Sequence, residues 1–94
     1  AVMTMTRGLA VELARYKIRV NAVNPVAAET GFMKGALGME GLPDANRDAL
    51  VKGIPLRRLA EPADVAATMA FLASHDAAFL TGVCLPVDGG RSIS

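Results

Sequence analysis

Residues 18–25 read Ile-Arg-Val-Asn-Ala-Val-Asn-Pro, and this stretch decides the fold class. Apolar and polar residues alternate along it at the period of a β-strand. Pro25 lacks the backbone N–H that a continuing strand would donate, so the pattern predicts a strand from Ile18 that ends at Asn24 or Pro25. Ligands in open α/β sheets lie outside the carboxyl ends of the strands. The loop that begins at Val26 is therefore the first place to look for chemistry.

The residues before this strand predict an amphipathic helix that leads directly into it. Their apolar side chains recur at steps of three and four, which places them on one helix face. Arg15 and Lys17 fall in the last turn, where positive charge meets the negative end of the helix dipole. A helix that runs straight into a strand is the second half of a β-α-β crossover. The residues that define the face are Val2, Met5, Leu9, Leu13 and Tyr16.

The pattern changes over residues 26–43, where glycines interrupt a run that keeps several large apolar residues. Such a loop suits a lid that closes over a small ligand, and the alternative is a surface insertion without function. Asp44 is then expected to cap a short helix through Leu50 and Val51. Gly53 and Pro55 are expected to end that helix.

The last third of the chain predicts one more helix and one more strand. Glu61-Pro62 begins the helix, with proline at its first position and an acid in its first turn. Its apolar stripe, made of Val65, Met69 and Leu72, is expected to lie in the core. A strand follows over Val83–Val87, and Pro86 marks it as an edge strand or as one whose free side meets another subunit. The order predicts an α/β fold, the C-terminal half of a Rossmann-like doubly wound parallel sheet.

The composition narrows the function classes. The 94 residues are 52% hydrophobic and 20% charged, which is typical of the inner portion of a larger fold. A net charge of +1 with scattered basic residues argues against nucleic acid, and no apolar run is long enough for a membrane span. We therefore expect a soluble, cytoplasmic protein. The single cysteine, Cys84, is interpreted as a small buried hydrophobe rather than a nucleophile, and His75 as an exposed helix terminator rather than a catalyst. No metal site is predicted.

Six short segments occur in this chain in the order in which they occur in one enzyme family. Because of these segments, the chain resembles the C-terminal part of the short-chain dehydrogenases/reductases. Such enzymes use a Rossmann-type sheet to move hydride between NAD or NADP and an alcohol or carbonyl substrate. The resemblance therefore implies an NAD or NADP cofactor and a single NAD(P)-binding domain, of which 1–94 would be the C-terminal part and 26–56 the substrate lid. The matching segments are Thr6–Ala14, Ile18–Val23, Ile54–Pro62, Phe71–Ser74, Leu80–Gly82 and Val87–Gly90.

The family's loop after this strand reads Pro-Gly-x-x-x-Thr, and residues 25–30 match it with valine in place of the glycine. By this resemblance Pro25, Val26, Ala28 and Thr30 bind the cofactor. Backbone groups near Val26 and Ala28 and the Thr30 hydroxyl would satisfy the one acceptor and two donors of a nicotinamide carboxamide. The alternative is that Thr30 caps a following helical turn, and both roles can coexist. Glu29 would orient the loop or face solvent.

The resemblance also implies a substrate lid and an oligomer. Phe32, Met33 and Leu37 correspond to lid residues, and simple packing within the loop is the alternative. Their apolar character favours a small-molecule alcohol or ketone as the substrate. Related enzymes pair subunits through the helices and the last strand, so a homo-oligomer is expected, either a dimer or a tetramer.

The family's catalytic residues are not among these 94. The resemblance places its Tyr-x-x-x-Lys pair upstream, with the lysine two residues before Ala1 and the tyrosine four residues before that. Tyr16 lies at the wrong end of its helix to be the proton donor. The glycines of 35–41 lack the spacing of a phosphate-binding turn. We therefore expect this segment alone to be inactive. The alternatives are a non-catalytic regulator with the same fold and an α/β interaction module.

Overall fold

The computed structural model describes residues 1–25 and 44–94, with side chains described for all of these except 44–46. The described helices and strands follow the predicted order of helix, strand, short helix, helix and strand. They are α1 (Val2–Leu13), β1 (Ala22–Pro25), α2 (Asp44–Lys52), α3 (Pro62–Ala73) and β2 (Cys84–Val87).

Helix α1 is shorter than its apolar pattern predicts. The α-helix ends at Leu13 and the chain continues as a 3-10 helix over Ala14–Tyr16. Lys17 then takes a left-handed conformation, with φ of 62°, and its amide donates to Ala14 O at 2.9 Å. This left-handed residue closes the helix and turns the chain toward the sheet. Arg15 therefore lies in the 3-10 turn and Lys17 beyond it, and neither is in the last turn of the α-helix as predicted.

The strand predicted from Ile18 begins only at Ala22. Residues 18–21 run beside 80–83, but side chains replace part of the backbone ladder there. Val20 N donates to Thr81 Oγ1 at 3.1 Å, and Asn21 Oδ1 accepts from Val83 N at 3.0 Å. The Asn21 side chain accepts from the Val83 amide in place of a backbone carbonyl. Regular pairing therefore starts at the next residue, Ala22. The predicted end of the strand, at Asn24 or Pro25, is confirmed.

Strands β1 and β2 pair in parallel, from Ala22 opposite Cys84 to Pro25 opposite Val87. Strand β2 begins one residue later than predicted. Ala22 N donates to Val83 O at 2.8 Å, so the alternation of a parallel ladder turns the ring nitrogens of Pro25 and Pro86 away from the shared ladder. Both prolines therefore lie on outward-facing edges of the described sheet, which agrees with the prediction for Pro86.

Helix α2 begins at Asp44 itself, one position earlier than a capping role predicts, and ends at Lys52 just before Gly53. Helix α3 begins at Pro62 as predicted, with Glu61 as its N-cap. The prediction for its apolar stripe is only partly right. Leu72 is buried, but Met69 is 55% exposed, beside an open cavity that it lines together with Val23 and Leu72.

Buried side chains lie on α1, on α3 and in the loops around the sheet. Ile54 is the largest fully buried side chain among the described residues, with 1% exposed. Thr6 on α1 is also buried, and its hydroxyl donates to Val2 O at 2.7 Å. Within 1–25 and 44–94, no helix combines the length and apolar content needed to cross a bilayer. The remaining buried residues are Ala10, Leu59, Ala60, Leu72 and Ala77.

Candidate functional site

The candidate site lies at the carboxyl ends of β1 and β2. Because the strands are parallel and in register, Pro25 and Val87 end at the same edge of the sheet. In open parallel sheets this edge is where ligands bind. The segment after Pro25 carries the predicted cofactor residues, and the Asp88-Gly89-Gly90 turn follows Val87.

The opposite ends of the strands are held by polar side chains. Arg19 donates through Nη1 to Leu72 O at 2.7 Å and through Nη2 to Ser74 O at 3.3 Å, so it satisfies carbonyls at the C-terminal end of α3. Asn21 Nδ2 donates to Leu80 O at 3.1 Å. These bonds join three separate parts of the chain and fix where both strands begin.

The turn after β2 requires its glycines. Gly89 and Gly90 have φ of +61° and +94°, which L side chains rarely adopt. A Cβ built on Gly89 would also lie 2.7 Å from Ile54 Cγ2. The Asp88 carboxylate accepts from Gly90 N at 3.1 Å and Ser92 N at 2.9 Å. Hydrogen bonding by Ser92 first, and by the Gly90 amide to a smaller extent, holds the pKa of Asp88 below its usual value.

A second turn, residues 53–58, packs directly against the first. Leu56 N donates to Gly89 O at 3.0 Å, and Arg57 N donates to Ile54 O at 2.8 Å. Arg57 has φ of 62°, a left-handed conformation that is uncommon for residues other than glycine. The two turns therefore form one joined wall beside the end of β2.

Arg58 and Asp64 form the ion pair of this wall. Arg58 Nη1 and Nη2 donate to the two carboxylate oxygens of Asp64 at 2.7 and 3.0 Å. Asp64 Oδ2 also accepts from Glu61 N at 2.7 Å, and this bond caps the start of α3. The Arg58 hydrogen bond, followed by the Glu61 amide, lowers the pKa of Asp64 to about 2. The turn is thereby attached to the helix.

These elements enclose a cavity of about 550 Å³. Its floor is the end of β2, and its walls are the two turns and the start of α3. This volume falls within the range of small-molecule sites, and its lining is mainly apolar. The lining residues are Pro55, Leu56, Arg58, Ala60, Asp64, Thr68, Pro86, Val87, Asp88, Gly89 and Gly90.

Of the predicted cofactor residues, only Pro25 is described, exposed at the end of β1. Val26, Ala28 and Thr30 lie outside the described residues, as do Glu29 and the lid residues Phe32, Met33 and Leu37. Their placement stays a prediction.

The remaining polar candidates have ordinary surroundings. Tyr16 is exposed, and its hydroxyl oxygen accepts from Arg15 Nη2 at 2.5 Å. His75 is exposed at the end of α3, as predicted. Cys84 is free and only half-buried, so it is less buried than predicted. In the described ranges, no three acidic, histidine or cysteine side chains group as a metal site would need.

The segments that build the cavity wall, Ile54–Pro62 and Val87–Gly90, were identified from the sequence as family matches, but the sequence did not predict that they form a cavity. The spacing of Glu61 and Asp64 is that of a capping box, and this signal could have identified Asp64 as a structural residue. The sequence around Arg57 does not indicate its left-handed conformation, because such positions favour glycine rather than arginine.

Comparisons with known proteins agree on one family. A sequence profile described as enoyl-(acyl carrier protein) reductase matches residues 1–92. The chain is 56% identical over 93 residues to 4-formylbenzenesulfonate dehydrogenase TsaC1/TsaC2 of Comamonas testosteroni, and the match covers 99% of this chain. It is 42% identical over 94 residues to meso-2,3-butanediol dehydrogenase of Serratia marcescens, and that match covers 100% of this chain.

A solved structure matches the fold as well. The crystal structure of a short chain dehydrogenase family protein from Francisella tularensis superposes with a TM-score of 0.83 and 33% sequence identity, over 99% of this chain and 40% of that one. The chain spans about a third of the length of the curated relatives, 36% and 35% of the two named above.

Proposed function

This chain belongs to the short-chain dehydrogenase/reductase family, and we propose that it acts as the C-terminal part of an NAD(P)-dependent enzyme. That enzyme transfers hydride between a nicotinamide cofactor and an alcohol or carbonyl substrate. Residues 1–94 contribute one wall of the nicotinamide pocket, the substrate lid over 26–56, and contacts between subunits. The observation that carries the proposal is the parallel pair β1–β2, which ends at one edge beside a largely apolar cavity.

The cofactor in this proposal is NAD or NADP, with its nicotinamide end at the carboxyl edge of β1. Pro25 is the last residue of β1, and it is exposed at the carboxyl end of the strand. Backbone groups near Val26 and Ala28, together with the Thr30 hydroxyl, would then bind the carboxamide. When bound, the nicotinamide supplies or accepts the hydride.

This chain's own contribution to the reaction is orientation and exclusion of water. The Thr30 hydroxyl, by bonding the carboxamide, would fix which face of the ring meets the substrate. Phe32, Met33 and Leu37 would cover the substrate and keep water away from the transferring hydride. Proton transfer falls to the tyrosine and lysine that the family resemblance places before Ala1.

The substrate class is a small alcohol, aldehyde or ketone. The named relatives are dehydrogenases of 4-formylbenzenesulfonate and of meso-2,3-butanediol, so both an aromatic aldehyde and a short aliphatic alcohol belong in the test. The apolar lining of the cavity favours substrates with a hydrocarbon portion. A homo-oligomer, dimer or tetramer, in the cytoplasm stays our prediction for the assembled enzyme.

The first test is the coding sequence upstream of Ala1. A tyrosine and a lysine at the stated positions, followed by NAD- or NADP-dependent turnover of one of these substrates by the longer protein, would support the proposal. Replacement of the pair, with cofactor binding retained, would favour a non-catalytic regulator. Binding of another protein without cofactor binding would favour an interaction module. Residues 1–94 expressed alone should give no turnover.

Thr30→Val tests the residue closest to the proposed chemistry. Loss of one hydrogen bond to the carboxamide should lower kcat/KM for the cofactor roughly tenfold in the longer protein. Thr4→Val is the matched control, because Thr4 is exposed on α1, far along the chain from the loop. Equal kinetics for the two variants would reject the assignment of Thr30.

A further inference from the structure

Arg57 has a backbone conformation that needs an explanation. Among residues 1–25 and 44–94, only Arg57 and Lys17 combine a side chain with a positive φ, 62° in each case. Such a conformation costs about 1–3 kcal/mol and persists only where surrounding contacts enforce it. At Lys17 the contact is the helix end itself, since its amide donates to Ala14 O. Arg57 does not close a helix in this way.

The Arg57 side chain reaches back to helix α2. Its Nη1 donates to Lys52 O at 2.6 Å, and Lys52 is the last residue of the helix. The carbonyls at a helix C-terminus lack partners within the helix, and the dipole favours a positive charge there. Arg57 therefore caps α2 from a position five residues beyond its end, while its own amide closes the turn on Ile54 O at 2.8 Å.

The same turn forms part of the cavity at the end of β2. Pro55, Leu56 and Arg58, which flank Arg57, all line the cavity, whereas Arg57 itself does not. Leu56 N donates to Gly89 O at 3.0 Å, so the turn is fixed to the C-terminal segment on its other side. Leu56 is nevertheless 70% exposed, which leaves its side chain available at the cavity mouth.

We propose that Arg57 is a positioning residue for the substrate. By capping α2 and holding a left-handed turn, it presents Pro55 and Leu56 as the wall that contacts the hydrocarbon portion of an alcohol or carbonyl substrate. The inference rests on the proposed function, because the cavity adjoins the edge where that function places the reaction. The cavity volume of about 550 Å³ accommodates a small organic molecule.

The test compares three substitutions at residue 57 in the longer protein. Arg57→Gly keeps the left-handed turn and removes the cap, so KM for substrate should rise roughly three- to tenfold, with kcat nearly unchanged and no loss of thermal stability. Arg57→Ala should raise KM similarly while also lowering stability, since alanine loses the bond to Lys52 O and, unlike glycine, does not relieve the backbone strain. Arg57→Lys should restore a KM close to that of the unmodified protein because its ammonium can donate to Lys52 O.

Two further measurements separate positioning from general stability and from the proposed function. Lys17→Gly relieves the other left-handed residue and should leave KM unchanged. Amide hydrogen exchange should show faster exchange at Leu56 and Arg57 in Arg57→Ala, a readout that does not require activity.

Unchanged exchange, or a KM that follows stability across all variants, would overturn the positioning role. Suppose that the unmodified longer protein protects the Leu56 and Arg57 amides from exchange but turns over no alcohol or carbonyl. The proposed function then fails, and the substrate contact fails with it. Altered exchange in Arg57→Ala would then still establish the cap on α2.

Discussion

The two ends of the β1–β2 pair are built differently. At the entry side, residues 18–21 and 80–83, side chains such as Asn21 and Arg19 bond distant backbone groups and fix where the strands begin. At the exit side, residues 53–58 and 88–92, backbone turns with positive φ bond each other and enclose a cavity. The entry side is a structural anchor. Cavities lie on both sides, since two of about 510 and 430 Å³ adjoin Arg19 on the entry side. What distinguishes the exit side is its place at the carboxyl ends of the strands, where open parallel sheets bind ligands.

Gly89→Ala should give the largest effect, because it disrupts the exit side by sterics and strain together. The new Cβ would approach Ile54 Cγ2 to 2.7 Å, and Ile54 is 1% exposed, so the core must shift. We expect a loss of about 2–3 kcal/mol in the free energy of unfolding, measured by urea denaturation.

Gly8→Ala is the matched control for that substitution. Gly8 lies inside α1, and a Cβ there meets nothing within 4 Å in the described structure. Alanine should stabilise the helix by about 0.5–1 kcal/mol. Equal effects of the two substitutions would contradict the account of the exit side.

Asn21→Ala should have the next largest effect, this time on the entry side. It removes one donor and one acceptor and leaves the Val83 amide without its partner. A loss of about 1–3 kcal/mol is expected, with KM unchanged in the longer protein. Asn24→Ala, at an exposed position in β1, serves as the control for stability. A raised KM in Asn21→Ala would show that the two sides are not separate in function.

Asp64→Asn should have the smallest effect on stability of these substitutions, and the loss should be present at neutral pH and disappear as the pH approaches 2. The pKa of Asp64 is about 2 in the folded protein, below the ordinary value of 3.8, so its ionised form is favoured by folding. Its contribution to stability is therefore present above about pH 4 and is lost as the pH falls toward 2. Urea denaturation between pH 2 and 6 should show a shallower pH dependence in the variant.

Asp76→Asn, which also removes one carboxylate at an exposed position, is the control for net charge alone. An unchanged profile in Asp64→Asn would mean that water screens the pair with Arg58 completely.

The sequence predicted the order of elements and several of their ends because those depend on local chemistry. Pro25 ends β1, and Pro62 begins α3, since proline limits the backbone wherever it stands. The start of β1 was wrong by four residues, from Ile18 to Ala22. Alternation alone cannot show that Asn21 will bond Val83, which lies 62 residues further along the chain.

The candidate site was predicted only at the level of the strand edge. The Pro25 terminus could be identified locally, but the cavity arises where the turn at Arg57 meets the turn at Gly89. That contact depends on tertiary packing. Arginine rarely adopts a left-handed conformation, so the sequence gives no indication of the turn at residue 57. The same limit applies to Met69, whose exposure depends on which helix faces the strands cover.

The orientation of the two prolines in the sheet also bears on self-association. Exposed strand edges recruit strands from other molecules through unpaired N–H groups, and this is a common start of aggregation. Pro25 and Pro86 withhold a donor on the outward edges of β1 and β2, at adjacent register positions near the carboxyl end. A strand from another molecule would find no N–H donor at Pro25 or Pro86, so its pairing would be interrupted at the end of the sheet beside the cavity. The carboxyl end of the described sheet is thereby protected against edge-to-edge pairing, while the cavity beside it is open.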